Sequence, residues 1–386
     1  MPFAARLLVI TFVESIGTIL LERGIYFYTH ERLFYGERAN LAIAFVFGVF
    51  YVAGALSSHR AAERFGEKRL LVATLWGLFA AHAVLAMHPA GAVIPGAFVA
   101  LALLHGLKWP VIESFFSAGQ TPDQLLYALG RFNVCWALAV PIGVAGSGPL
   151  ISARPELLFV VAAVLNVVAL VLTARLPAQP VHLEPEHPER PAPGTLALYS
   201  RLLVAARWSL LLSYTLMFLL APLMPQIFAD LGLGVRGATL SAAALDVIRV
   251  ASFAVLGAFT GWQGRSWPLL LAIALTPAGF ALIIWGAGLG VVLAGELLFG
   301  AAAGIAYTAA LYYALVVRNA AVGAGGAHEG LIGLGFALGP LCGLAGTFVY
   351  AAGHATNAAT VTVLAVAPVI ALCSLAALRK LVRSQD

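Results

Sequence analysis

Charge is what this chain has least of. Only 10% of its 386 residues are Asp, Glu, Lys or Arg, against about a quarter in a soluble domain. So few charges cannot cover a water-facing surface, which excludes an ordinary soluble globular protein. Cysteine is nearly absent as well. Cys135, Cys342 and Cys373 all lie inside apolar runs without metal spacing, which argues against a disulfide framework or a zinc centre. They read as small apolar packing residues. No Gly-rich run is followed by Lys-Ser or Lys-Thr, so there is no phosphate loop, and the Gly-Ala run from Gly323 to Ala327 reads as a flexible turn. No Ser/His/Asp or metal constellation emerges. These absences argue against an enzyme and against ATP-driven transport by this chain alone, and they imply no cofactor and no metal. The net charge of +5 is no sign of nucleic-acid binding, because the bases fall in short segments between apolar runs.

What the chain does have is apolar length. It is 61% hydrophobic, with a mean hydropathy of +0.95. A helix crosses a bilayer in about 20 apolar residues. Twelve such spans are expected: 4–28, 39–60, 69–88, 91–117, 126–151, 156–175, 204–229, 238–262, 267–287, 289–317, 328–352 and 358–379. The first run is too long for a cleavable signal and carries Glu14 and Glu22, so it reads as a span. The segment 176–202 interrupts the pattern. Its Pro177, Pro180, Pro185, Pro188, Pro191 and Pro193, with Glu184, Glu186, Glu189 and Arg190, give it the composition of a linker. It divides the chain into 1–175, with six spans, and 203–386, with six more.

Charge asymmetry tests the count. With the N-terminus inside, fifteen Lys and Arg fall on the cytoplasmic side. Arg32, Arg38, Arg154 and Arg236 fall outside, and Arg23, Lys108 and Arg249 within spans, accounting for all 22. Lys and Arg accumulate on the cytoplasmic side, so both termini and the linker are expected there, in what would be a bacterial inner membrane.

The stretch His59 to Arg69 places four bases (Arg60, Arg64, Lys68 and Arg69) and two acids (Glu63 and Glu67) between two apolar runs, and reads as a short cytoplasmic loop. It resembles the loop between the second and third helices of the major facilitator superfamily, roughly Gly-x-Leu-Ala-Asp-Arg-x-Gly-Arg-Lys. Glu63 takes the acid position, Arg64 the Arg, Gly66 the second Gly, and Lys68 and Arg69 the basic end. His59 stands where the first Gly belongs and Ala61 replaces the Leu. The resemblance implies an all-α fold of twelve transmembrane helices in two pseudo-symmetric six-helix bundles. It also implies that Glu63, Arg64, Gly66 and Arg69 help to clamp the halves on the cytoplasmic side.

An internal repeat fits that architecture. Gly106 and Trp109 in span four have counterparts in Gly304 and Tyr307 of span ten, 198 residues on, and Pro141 has Pro340, 199 residues on. In span eleven, Gly335, Gly339-Pro340 and Gly343 have small-residue spacing that lets helices approach closely. That run is similar to the Gly-x-x-x-Gly-Pro-x-x-Gly pattern of facilitator antiporters. There the pattern belongs to span five, and the antiporters' span-four Arg is replaced here by Ala102.

Charges inside spans are costly and usually functional. Asp246 and Arg249, three apart on one face of span eight, are the leading pair for ion coupling or substrate binding. Glu14, in the middle of span one, is a candidate proton carrier. Lys108 could bind an anionic group or pair with a carboxylate of another helix. Trp109 and Tyr307, at equivalent repeat positions, would suit an aromatic-lined cavity. Glu113 and Arg131, near the cytoplasmic ends of spans four and five, read as a gate pair. Glu22 and Arg23 read as mutually neutralising, and His328-Glu329 as capping groups.

The expected function is secondary transport of a small polar or amphipathic organic solute by alternating access, coupled to protons. The alternatives are efflux of amphipathic compounds and, from another class, a non-transporting receptor or intramembrane enzyme. The expected partners are the solute, protons and the bilayer, with no nucleic acid, and a monomer is expected.

Overall fold

The computed structural model describes residues 2–117, 119–120, 122–180, 192–317, 322–351 and 358–382. Among these residues the chain is all helix, with no strand. Within a bilayer the backbone must satisfy its own polar groups, which helices do. Eleven helical stretches are long and apolar enough to span. The twelfth, Leu157–Thr173, has 17 residues and would measure roughly 26 Å at 1.5 Å per residue, just short of a 30 Å hydrocarbon core.

Span one is Phe3–Glu22 followed by Gly24–Leu33, interrupted at Arg23. Spans two to six are Glu37–Phe65, Glu67–Met87, Ile94–Ser117, Pro122–Ala153 and Leu157–Thr173. Span seven is Pro193–Leu220 with Met224–Asp230, and span eight is Val235–Ala242 with Ala244–Ala258. Spans nine to twelve are Trp267–Trp285, Leu289–Val317, Val322–Ala351 and Ala358–Val382. Counted this way, twelve crossings among the described residues bring Phe3 and Val382 to the same side of the bundle, called the terminal side below.

Three local expectations are corrected. Residues 59–65 are not a loop but the last turns of span two. Only Gly66, at φ +84°, turns the chain into span three, a conformation that glycine adopts without a Cβ penalty. The Gly-Ala run at 323–327 is helical too. Span seven begins at Pro193, inside the expected linker. Proline fits a first helical turn because the N–H it lacks would have no partner there. The rest of that proline-rich segment, 181–191, lies outside the described residues.

Glycines set how closely the helices cross. A Cβ on Gly54 would strike the Leu103 carbonyl, and one on Gly106 the Tyr51 carbonyl, so spans two and four meet backbone to backbone. The second half repeats the contact. A Cβ on Gly304 would lie 3.4 Å from the Arg249 carbonyl and 2.7 Å from Ser252. Tyr51 and Arg249 are also 198 residues apart, so the repeat read from Gly106 and Gly304 is the same crossing made twice. The interruption of span one at Arg23 has its counterpart, at the same offset, where span seven breaks at Ala221.

The halves meet along two seams. Span two packs against span eleven, where Gly48 lies against Phe336 and Ala337. Span five packs against span eight, where Gly130 and Gly257 face each other. Between the seams lies a small cavity.

Candidate functional site

The cavity forms where helix regularity fails. Span one breaks at Arg23 and span eight at Ala243. Arg23 reaches across the halves. Its guanidinium donates to Asp246 Oδ2 at 2.6 Å and to the Ala242 carbonyl at 3.3 Å, beside the break in span eight. Arg249 approaches the other carboxyl oxygen at 2.8 Å, as a close ion pair rather than an aligned hydrogen bond. Asp246 is fully buried and the two arginine side chains are 5% exposed. The expected pairing of Asp246 with Arg249 is thus present, and Arg23 joins it. Glu22 and Arg23 do not pair off. Both line the cavity, but Arg23 spends its charge on the other half.

The walls are aromatic. Arg249 lies over the Trp136 ring, 5.0 Å from its centroid. Trp136, Phe253 and Tyr307 pack together at 5.1–5.5 Å, and Trp109, Tyr214 and Phe336 complete the lining. The cavity volume is about 90 Å³, room for a few waters. Organic-ligand sites run from about 300 Å³, so this is a closed form of the cavity.

Carboxyl groups line the terminal-side end. Glu113 of span four and Glu329 of span eleven, one from each half, bring a carboxyl oxygen each within 4.8 Å of the other. The Tyr51 hydroxyl donates to Glu329. Gly325 makes the approach possible, because a Cβ there would lie 2.6 Å from Glu113 Oε2. One atom each from Glu113, His328 and Glu329 all lie within 4.8 Å of one another, and all three residues are buried. Glu113 and Arg131 are therefore not brought together. Arg131 is exposed and lines a separate groove with Gly130, Phe253 and Gly257, and span eleven supplies the partner of Glu113 instead.

Glu14 and Lys108 lie behind the cavity wall. Lys108 Nζ donates to Glu14 at 2.9 Å and to Thr18 at 3.0 Å. The Asn166 amide gives Glu14 two further bonds, at 3.0 and 3.2 Å. His82 meets Asn166 at 2.7 Å. The network ties spans one, three, four and six together inside the first half, with Glu14 and Lys108 fully buried. Of the predicted binding set, Trp109, Arg249 and Tyr307 line the cavity, Asp246 holds the two arginines, and Glu14 with Lys108 are not part of its lining.

Among the described residues, the side-chain contacts of the segment around Gly66 are with its own half. Glu63 pairs with His59 at 3.3 Å with both side chains at least half exposed. Arg64 sits over Phe65 at 5.4 Å. Arg69 is exposed. Lys68 Nζ donates to the carbonyls of Ala174 and Leu176 at 2.8 and 2.7 Å, fixing span three to the end of span six. The Gly-Pro pattern of span eleven serves packing: Gly335 and Gly339 lie against Tyr214, Thr215 and Leu219 of span seven.

Sequence reasoning missed Glu329, Tyr51, Trp136 and Tyr214 as cavity residues. Only Tyr51 carried a findable signal, since it stands 198 residues before Arg249.

The chain matches the family model described as Major Facilitator Superfamily over residues 7–340. No curated protein sequence matches it. Among solved structures it is similar to the human organic anion transporter MFSD10 (TETRAN), with a TM-score of 0.68 at 15% identity, covering 98% of this chain and 100% of that one. It is similar to the nucleoside transporter NupG, with a TM-score of 0.69 at 13% identity, covering 98% of this chain and 99% of that one.

Proposed function

This chain belongs to the Major Facilitator Superfamily, and from that membership we propose that it carries a small polar or amphipathic organic solute across the membrane by alternating access, coupled to protons. The observation that carries this reading is the closed cavity between the halves. It brings two guanidinium groups, Arg23 and Arg249, together with the carboxyl groups of Glu22, Glu113 and Glu329 between aromatic walls. Such a lining recognises a solute with a planar or apolar body and at least one polar or ionised group. Trp109, Trp136 and Tyr307 supply stacking surface. Arg249, whose Nε has no partner, supplies a donor. Asp246 orients both arginines.

Two seams of close helix contact on either side of one site fit a rocking motion of the two bundles about the cavity. The neighbours named for organic anions and nucleosides carry solutes that meet the same description, and they guide the first panel. With the cytoplasmic side assigned by the Lys and Arg bias, the terminal side faces the cytoplasm.

The test is uptake into proteoliposomes holding the purified protein, with and without an imposed pH gradient, across organic acids, nucleosides, sugars, amino acids and amphipathic drugs. The expected result is saturable uptake of one chemical class, accelerated by the gradient, with at least a tenfold loss on Arg249→Ala, or about 1.4 kcal/mol. Uptake that is unaffected by Arg249→Ala and Trp109→Ala would overturn the cavity assignment.

A further inference from the structure

We propose that Glu113 and Glu329 hold one proton between them, and that this shared proton latches the two halves together on the terminal side. The inference rests on the transporter reading and names where a proton enters the cycle. The geometry points to it. Two carboxyl groups from opposite halves bring an oxygen each within 4.8 Å of the other in a place that water hardly reaches. Two bare carboxylates in contact repel each other and offer no hydrogen to share. The contact is attractive only if one of them is protonated.

The surroundings supply no substitute for that proton. Among the described residues, no ion pair joins a Lys or Arg to either glutamate: Lys108 is taken by Glu14, and both Arg23 and Arg249 by Asp246. Lys108 does act on Glu329 through space, and the buried Glu22 carboxyl of span one lies close enough to do so as well. Tyr51 on span two donates to Glu329 and Tyr307 on span ten lies near both glutamates. Tyr214 and Arg207 on span seven face Glu329 and His328 respectively. His328 itself packs edge-on to the Tyr307 ring at 4.9 Å, and neither of its nitrogens has a hydrogen-bond partner. Glu113 Oε2 is likewise buried and unpartnered. It is an open position on the pair for a proton or a bridging water.

The contact sits where it can gate. Glu113 is four residues from the end of span four, roughly 6 Å along the axis, and Glu329 lies in the opening turns of span eleven. Opening the terminal side moves these two ends apart. Each carboxyl then hydrates, and the shared proton passes to water on that side. Closing takes one proton back. The closed form therefore binds one more proton than the open form. By linkage, acid favours closure and alkali favours opening, with a tenfold change in the open-to-closed ratio per pH unit while the difference is one full proton.

The test reads the motion directly and needs no solute. Spin labels go at Arg60→Cys and Arg201→Cys, exposed positions on the terminal-side ends of spans two and seven, in a chain with Cys135, Cys342 and Cys373 replaced by Ala. Pulsed distance measurements in nanodiscs are made between about pH 5 and about pH 9, a range spanning carboxyl and histidine titration. The wild-type background is expected to shift toward longer distances as pH rises. Glu113→Gln and Glu329→Gln are each expected to remain closed at every pH, because an amide hydrogen bonds the remaining carboxylate without a proton from solution. A distance distribution that ignores pH, or a Glu113→Gln variant that keeps the full response, would overturn the latch. So would retention of one Mn²⁺ or Zn²⁺ per chain that is lost in Glu113→Gln, with opening driven by chelator instead of pH. The transport reading stands or falls separately, on uptake by proteoliposomes.

Discussion

Lys108→Met is the substitution whose outcome the structure determines most closely. In the wild type, Lys108 places its ammonium 2.9 Å from Glu14 and 3.0 Å from Thr18, with both charged side chains fully buried. Methionine has nearly the same length and no charge, so packing changes little. Glu14 is left with the two amide bonds from Asn166 and no base. Breaking a buried pair by removing one partner costs about 3–5 kcal/mol. An independent route gives the same size. The stranded carboxylate can escape by taking a proton, which costs about 1.4 kcal/mol for each pH unit above the ordinary carboxyl value near 4.3, or roughly 3.7 kcal/mol at pH 7. The sign follows: the loss of stability in Lys108→Met should shrink as pH falls and grow as it rises. Adding Glu14→Gln removes the stranded charge and should recover all but about 1 kcal/mol. The assay is unfolding of the purified variants in detergent at acid and neutral pH, with proteoliposome uptake alongside. A Lys108→Met protein as stable as the wild type at neutral pH would refute the reasoning, as would a double variant no better than the single. If the double variant is stable and still responds to a pH gradient, Glu14 is a structural partner and not the coupling carboxyl expected from its depth in span one.

Two further outcomes follow from packing. Gly304→Leu, which drives a side chain into Arg249 and Ser252 of span eight, should cost about 1–3 kcal/mol as an overpacked contact, and Gly106→Leu should be at least as damaging at the equivalent crossing; normal yield and melting of both would contradict the backbone-to-backbone assignment. Glu63→Ala should change stability by less than about 0.5 kcal/mol, because its ion pair with His59 is exposed and screened; a large loss would mean that this end of span two has a partner in the other half.

The spans were legible because membrane insertion writes itself into composition. A run of roughly 20 apolar residues reads as a membrane span whatever its neighbours. The repeat was legible at Gly106 and Gly304 because a crossing without room for a Cβ restricts the residue type. What stayed hidden was the direction each buried charge faces. Glu14 and Glu22 look alike in sequence, yet one turns into the first bundle and the other into the cavity. Their separation of eight residues is a little over two turns of a regular helix, which would put them close to one face. The neighbours of span one decide which carboxyl meets a base and which meets the opening. Arg23 could not be read either, since its partner stands 223 positions away. Glu329, at the start of its expected span, looked like a cap because sequence placed the helix end at 328, whereas the helix begins at Val322.

The two latches across the halves differ in kind, and the difference bears on direction. Toward the side away from the termini, Arg23 grips Asp246 through a charge-assisted bond, and a guanidinium keeps its charge at any physiological pH. Opening there must break a buried ion pair unless something replaces one member. A solute carrying an anionic group can do so, by taking the place of Asp246 on Arg23 or by engaging the free Nε of Arg249. At the terminal side the proposed latch is Tyr51 with two glutamates, and loss of a proton would open it. One end would then answer to solute and the other to pH. Moving a two-state equilibrium from 1:99 to 99:1 takes about 5.5 kcal/mol of differential binding. A single replaced ion pair supplies about 3–5 kcal/mol of that, and a proton difference of one adds about 1.4 kcal/mol per pH unit. Neither input alone reaches that size, whereas a bound solute with a gradient of one or two pH units would give about 4.4–7.8 kcal/mol, a range that brackets it. A molecule built this way would leak little in the absence of either input, so basal efflux from loaded, gradient-free vesicles should be slow, and Glu329→Gln, with its terminal side held closed, should make it slower still.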